Sequence, residues 1–205
     1  MAGLTLTPYV TPDGVPQAPG GPKEDTRGGF EHGGWSDPCA DDDFGAFVTG
    51  VLDRVGAFLL GRRTYGIFAG AWPKVTDEDG PVASRLGNLP RYVVSTTLRR
   101  ADRHNATIVS GNVAEEVARL GRETDGEPQI HGSGARTRSL TAHDRVDQFP
   151  LLVHPLVPGS GMRFRGRRPA HPFRARRPVG HARGCGIHTY RIAGRPEYGA
   201  FEPAA

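Results

Sequence analysis

Three times along this chain a short apolar run ends at a glycine or a hydroxyl-bearing turn and continues as a helix-like stretch, and that alternation constrains the fold more than any other feature. The run at 57–60 leads through Gly61 into a predicted helix over 64–69. Runs at 92–95 and 107–109 lead through Asn112 into another over 113–120, where Glu115 stands three residues past Asn112 as a cap partner. The run at 128–131 leads through Gly132-Ser133-Gly134 into a helix through 140, and 146–154 reads as one more buried strand. Strands alternating with helices predict an α/β fold with a mostly parallel sheet covered on both faces.

The segments before these units fit that plan. Residues 4–10 alternate like a strand that Pro8 weakens, so it should be first in the chain or at an edge. Residues 11–37 are dense in glycine and proline and predict a long surface loop. Asp41, Asp42 and Asp43 then open a helix whose apolar stripe is Phe44, Phe47, Val48, Val51, Leu52 and Val55, its acidic start suiting the positive end of the helix dipole.

Composition narrows the classes. With 205 residues, 29 of them Gly and 18 Pro, the chain is sized for a single domain, and its Gly and Pro content, roughly twice the ordinary share, excludes a coiled coil or helical bundle. No apolar run reaches the roughly 20 residues of a membrane span, and the N-terminus lacks the basic-then-apolar build of a signal peptide, so a cytoplasmic protein is expected. Cys39 and Cys185 then read as two thiols rather than a bridge.

Chemistry is expected where glycine turns follow strands, because ligands of open α/β sheets bind outside the carboxyl ends of the strands and helix N-termini favour anions. Gly61, Arg62, Arg63 and Thr64 form one such turn, with arginines for phosphate oxygens and a hydroxyl at a helix start. Gly132, Ser133, Gly134 and Ala135 form the second, shorter than a dinucleotide fingerprint. Ser95, Thr96 and Thr97 put hydroxyls at a third strand end, as ordinary turn residues also would. Each turn alone also fits tight packing; two at successive crossovers point to a diphosphate between them.

Together with Thr11-Pro12-Asp13-Gly14, the loop from Gly28 to Trp35, Leu60 through Tyr65, Val93-Val94-Ser95, His131 through Ala135 and Leu152-Val153-His154-Pro155, these residues resemble the dihydrofolate-reductase-like fold. The branch is that of the C-terminal reductase domain of the riboflavin-biosynthesis protein RibD. The resemblance runs from about residue 5 to 161 and resumes over about 187–201. It implies a three-layer α/β domain and a reductase moving hydride from NADPH to a heterocycle or its attached sugar, the nearest named activity being reduction of 5-amino-6-(5-phosphoribosylamino)uracil. It also implies that Gly61 to Thr64 and Gly132 to Ala135 hold the cofactor phosphates, that Ser95 and Thr96 lie near the 2′-phosphate, and that Asp13 and Trp35 line the catalytic pocket. Any acid would be Asp13, its pKa raised in a partly apolar cleft, although Asp13-Gly14 also reads as a plain turn. A stand-alone reductase with no deaminase domain ahead of it is expected, its partner a small molecule rather than a membrane or nucleic acid; homodimerisation stays open. The family more often has Asp at position 56 and Leu at 136 and 145, and Pro150 removes a donor from a strand that should be interior.

Between Gln148 and Pro196 there are ten Arg and no Asp or Glu, and over 163–186 the resemblance stops in an Arg, Pro and Gly vocabulary. Three origins compete: a compensated frameshift, a disordered loop, or a basic arm for nucleic acid, whose arginines would bind phosphates. If the last strands are damaged, a non-catalytic descendant of the fold is the alternative to the enzyme. Other constellations are set aside. His32, Cys39 and Asp41 to Asp43 lack regular metal spacing, so no metal is expected. Gly159-Ser160-Gly161 is not a nucleophile elbow. His131 and His154 read as structural histidines, His131 with a cofactor within reach, and Tyr65, Phe68 and Trp72 as packing.

Overall fold

A computed structural model describes residues 3–71, 81–102, 105–132, 146–164, 173–175, 179–180, 183–194 and 196–200. Its strands are β1 (Thr5–Leu6), β2 (Tyr9–Val10), β3 (Val55–Gly61), β4 (Arg91–Val94), β5 (Ala106–Val109), β6 (Glu127–His131), β7 (Phe149–Val153), β8 (Phe173–Ala175), β9 (Val179–Gly180) and β10 (Gly186–Ile192). The helices are α1 (Asp42–Leu52), α2 (Arg62–Ala71), α3 (Pro81–Asn88) and α4 (Val113–Glu123). The parallel sheet runs β1-β6-β3-β4-β5, and a second sheet runs β2-β7-β10-β8 with β9 also on β10.

Pro8 divides the first strand, as its lost donor predicts, and the two halves join the sheets. β1 pairs parallel with β6 and β2 pairs parallel with β7, while Leu6 N donates to Gln148 O at 3.0 Å. Pro150 is tolerated for a related reason. Leu152 N and His154 N donate to Pro8 O and Val10 O, so the even positions of β7 turn their amides toward the first strand. Pro150 thus deletes one donor facing the interruption at Pro8 and none facing β10, where it stands opposite Thr189.

The core lies on both faces of the parallel sheet. On β3, Phe58 and Leu60 enter a cluster with Leu52, Tyr65, Leu86 and Val93, whereas Leu59 enters another with Val94, Val117, Leu120 and Ile130. The first cluster is covered by α1, α2 and α3 and the second by α4. This is the three-layer α/β arrangement expected, with a central strand apolar on both sides. Asp41 caps α1 by accepting from Phe44 N at 2.8 Å, and Asn112 bonds Glu115 at the start of α4.

The structure adds to the sequence reading at three places. The loop over 11–37 is not merely superficial, because Val15, Ala18, Phe30 and Trp35 are buried in a small core of their own. The helix α3 has no counterpart in the sequence reading. Its last carbonyls are capped from afar, by the buried Arg91 guanidinium on Leu86 O and Gly87 O and by Asn105 Nδ2 on Asn88 O and Leu89 O. The Arg-rich segment carries β8 and β9, antiparallel to β10 with every residue exposed. The helix through 140, with Arg136, and Arg145 and Trp72 lie outside the described residues. Gly56 sits at a register shift between β3 and β6, where a Cβ would meet Asp125 O at 2.1 Å; this chain packs too closely there for Asp. Among the described residues no helix is long and apolar enough to cross a membrane.

Candidate active site

The strand order places the reversal of the chain between β3 and β6. From β3 the chain winds outward through β4 to β5, then crosses back to β6 on the other side of β3. Such a switch point leaves a crevice at the carboxyl edge. Gly61 ends β3 and Gly132 follows β6, with Leu60 paired to His131 just before them. The two glycine corners therefore flank the switch point. They also touch: a Cβ on Gly132, whose φ is +63°, would lie 2.3 Å from Thr64 Oγ1. Ser133, Gly134 and Ala135 lie outside the described residues.

α2 begins directly at Arg62, so the amides of Arg62, Arg63 and Thr64 belong to the first turn, which has no intrahelical partner for them. Arg62 and Arg63 are exposed, and a hollow open to solvent beside them is lined by Arg62, Arg63, Gly66 and Ile67. Arg62 donates to Thr97 Oγ1 at 2.8 Å, which ties the start of α2 to the corner after β4. At that corner Ser95 is buried and its hydroxyl accepts from Thr97 N and Leu98 N, so Ser95 shapes the turn while Thr96 and Thr97 face solvent. Arg63 pairs with Asp25 at 3.6 Å, and Asp25 also holds Arg27, whose hydrogen bonds keep the carboxyl below its usual range. The long loop thus reaches across to the glycine corner.

His131 lies between Phe58 and Phe68, with ring centroids 5.0 and 5.9 Å away. Its Nε2 meets Gln129 Oε1 at 2.6 Å, and Gln129 Nε2 donates onward to Thr7 Oγ1 at 2.8 Å. The Gln129 amide is therefore oriented with its oxygen toward the ring, and the imidazole carries its proton on Nε2. Burial pulls the pKa down to about 4, so the ring is neutral at physiological pH.

Asp13 follows β2, a strand of the second sheet. Thr11 Oγ1 donates to its Oδ1 at 2.5 Å, Arg163 Nη2 to its Oδ2 at 3.1 Å and Arg163 Nε to its backbone oxygen at 3.0 Å. The Thr11 hydrogen bond first, and then Arg163, lower its pKa rather than raise it. The shift runs opposite to the raised pKa that the sequence reading expects of an acid at this position. Trp35 is buried, its Nε1 committed to Gln17 O at 2.7 Å, so the indole is a packed wall of the loop. Sequence reasoning missed Asp25 and Arg163 as partners, and named Thr97 only as a hydroxyl at a strand end. Arg163 opens the Arg-rich segment and is fixed to Asp13, with Phe164 N donating to Gly14 O at 2.9 Å beside it.

The family model described as the RibD C-terminal domain matches residues 3–175. The chain belongs to that family. A protein of Bacillus subtilis called uncharacterized protein YyaP is 29% identical over 143 residues, spanning 66% of this chain and 73% of its own length. A solved structure of a putative riboflavin biosynthesis protein from Shewanella sp. PV-4 superposes on this RibD C-terminal domain with a TM-score of 0.68 and 20% identity, covering 94% of this chain and 99% of the other. Dihydrofolate reductase from Enterococcus faecalis, solved with NADP(H), superposes with a TM-score of 0.61 and 13% identity, covering 93% and 96%. The fold is dihydrofolate-reductase-like, and family and fold together point to a reductase-type enzyme.

Proposed function

We propose that this RibD C-terminal domain is an NADPH-dependent reductase acting on a heterocycle or the sugar attached to it, of the type that reduces 5-amino-6-(5-phosphoribosylamino)uracil. The observation that carries the reading is the contact between the Gly132 corner and Thr64 at the switch point, with two exposed arginines beside it. The residues fit a dinucleotide. The first-turn amides and the guanidinium groups of Arg62 and Arg63 would hold the diphosphate, a helix N-terminus and charge-assisted bonds acting together. Thr96, Thr97 and Arg62 would meet the ribose phosphate on a corner that Ser95 shapes from beneath.

When bound, the cofactor supplies the hydride; the protein's work is to place donor and acceptor carbons together and exclude water. Asp13 and Arg163 anchor the long loop, Trp35 stiffens it, and Asp25 ties it to Arg63. Neutral His131 stands behind the Gly132 corner and adds no charge to it.

Fluorescence titration with NADPH and NADH tests the proposal. Saturable NADPH binding, tighter than NADH and weakened by Arg62→Ala, supports it. No binding of either nucleotide at millimolar concentration overturns it in favour of a non-catalytic member of the family.

A further inference from the structure

Cys39, His154 and Cys185 come from the end of the glycine-rich loop, the residue after β7 and the residue before β10, and one donor atom from each lies within 4.8 Å of the others. All three are buried, with relative exposures of 5%, 0% and 1%. Their spacing in sequence follows no metal motif, which is why the chain read alone gives no sign of them.

The histidine is oriented as metal ligands usually are. Its Nδ1 lies 3.0 Å from Leu152 O, and a carbonyl only accepts, so Nδ1 carries the proton and Nε2 presents a lone pair. That Nε2 is buried and has no hydrogen-bond partner among the described residues. Asp41, two residues past Cys39, gives Oδ1 to the cap of α1 and leaves Oδ2 buried and equally unpartnered. Tyr9, Trp35 and Phe44 enclose the imidazole, with ring centroids 5.4, 5.1 and 5.6 Å away, and make a dry shell.

We propose that Cys39, Cys185 and His154 Nε2 bind one zinc-class divalent ion. Two sulfurs and an imidazole select zinc over magnesium or calcium, which prefer oxygen. Donors on a tetrahedral zinc stand roughly 3.5–3.8 Å apart, so a contraction of roughly 1 Å, within reach of cysteine side-chain rotation, seats the ion. Each thiol releases its proton to solvent as its sulfur bonds the metal, and no oxidant is needed. A Cys39–Cys185 disulfide would use both sulfurs yet leave His154 Nε2 without a partner; the ion satisfies all three groups. Bound metal would clip the loop bearing Asp13 and Trp35 to β7 and β10, across 146 residues of chain from Cys39 to Cys185.

The test uses the full chain, reduced and stripped by chelator, titrated with Co²⁺. The expected result is one equivalent bound, with thiolate-to-cobalt charge-transfer absorption in the near ultraviolet, visible bands of a tetrahedral ion, and loss of both on adding Zn²⁺. Cys185→Ser, confirmed as folded by circular dichroism, should weaken cobalt binding by more than about a hundredfold, beyond the loss expected from an outer-shell partner. His154→Gln should shift the visible bands. Should the Cys185 variant fail to fold, Cys39→Ser reads the same site from the other cysteine. The proposal is overturned if reduced, folded wild type gives no charge-transfer band, if the band survives in both serine variants, or if Cys39 and Cys185 oxidise to a disulfide equally fast with and without zinc.

Discussion

Thr64 and Gly132 are in contact across the switch point: a Cβ on the glycine would stand 2.3 Å from the threonine hydroxyl and 3.2 Å from its Cβ. The first turn of α2 and the corner after β6 therefore cannot shift independently. Two turns from separate crossovers act as one rigid rim, and the diphosphate site proposed above depends on that rigidity.

Gly132→Ala meets both the contact and a positive φ, so it should destabilise the fold by about 2 kcal/mol and weaken NADPH binding. Adding Thr64→Ala removes the collision but not the backbone strain. In a double-mutant cycle read by urea denaturation, the pair should show a coupling of at least about 0.5 kcal/mol. Additive losses would mean that the two corners are not in contact in solution.

Arg62→Ala and Arg63→Ala should each raise the NADPH dissociation constant about tenfold or more, the loss of one charge-assisted hydrogen bond to phosphate. Both side chains are exposed, so stability should change by less than about 1 kcal/mol. Fluorescence titration at two salt concentrations checks this. The wild type should lose affinity with salt more steeply than either variant.

Much of this rim was legible because buried parallel strands leave a continuous apolar run and a glycine at its end, as at Leu60-Gly61 and Ile130 to Gly132. What stayed hidden has physical causes. β8 is exposed at all its residues, so Phe173-Arg174-Ala175 shows no alternation; periodicity is visible only where one face is buried. The core of Val15, Phe30 and Trp35 sits in irregular chain that has no period to read. The end of α3 is closed by Arg91 and Asn105, residues beyond the helix rather than in it. Asp13 and Arg163 stand 150 residues apart, so nothing local in the sequence announces that the aspartate is already ion-paired.

That pair fixes the sign of one acid response. Asp13 has its pKa lowered from 3.8 by Thr11 and Arg163, so its contribution is complete above 3.8 and is lost as pH falls below that value toward the folded-state pKa. Asp13→Asn keeps an acceptor for Thr11 and removes the charge. Thermal melts from pH 5 downward should therefore fall less steeply for the variant than for the wild type, and the two should differ by a constant amount above pH 5. Parallel curves throughout would show that the carboxylate is not held by Arg163 in solution.

His131 gives the opposite kind of group the same direction of response in a different window. Its folded pKa of about 4 lies below the ordinary 6.5, so between those values the unfolded chain binds a proton that the native ring refuses. Stability then rises with pH across the interval and is fully present above 6.5. His131→Gln keeps a donor for Gln129 and cannot ionise. The melting temperature of the wild type should drop relative to this variant between pH 6.5 and 4, with no divergence above pH 7. In the native protein the ring protons of His131 should hold the chemical shifts of a neutral imidazole down to about pH 5, the cost of placing a cation between Phe58 and Phe68 being what keeps the proton off. A midpoint near 6.5 would mean that water reaches the ring and that the wall behind the Gly132 corner is open.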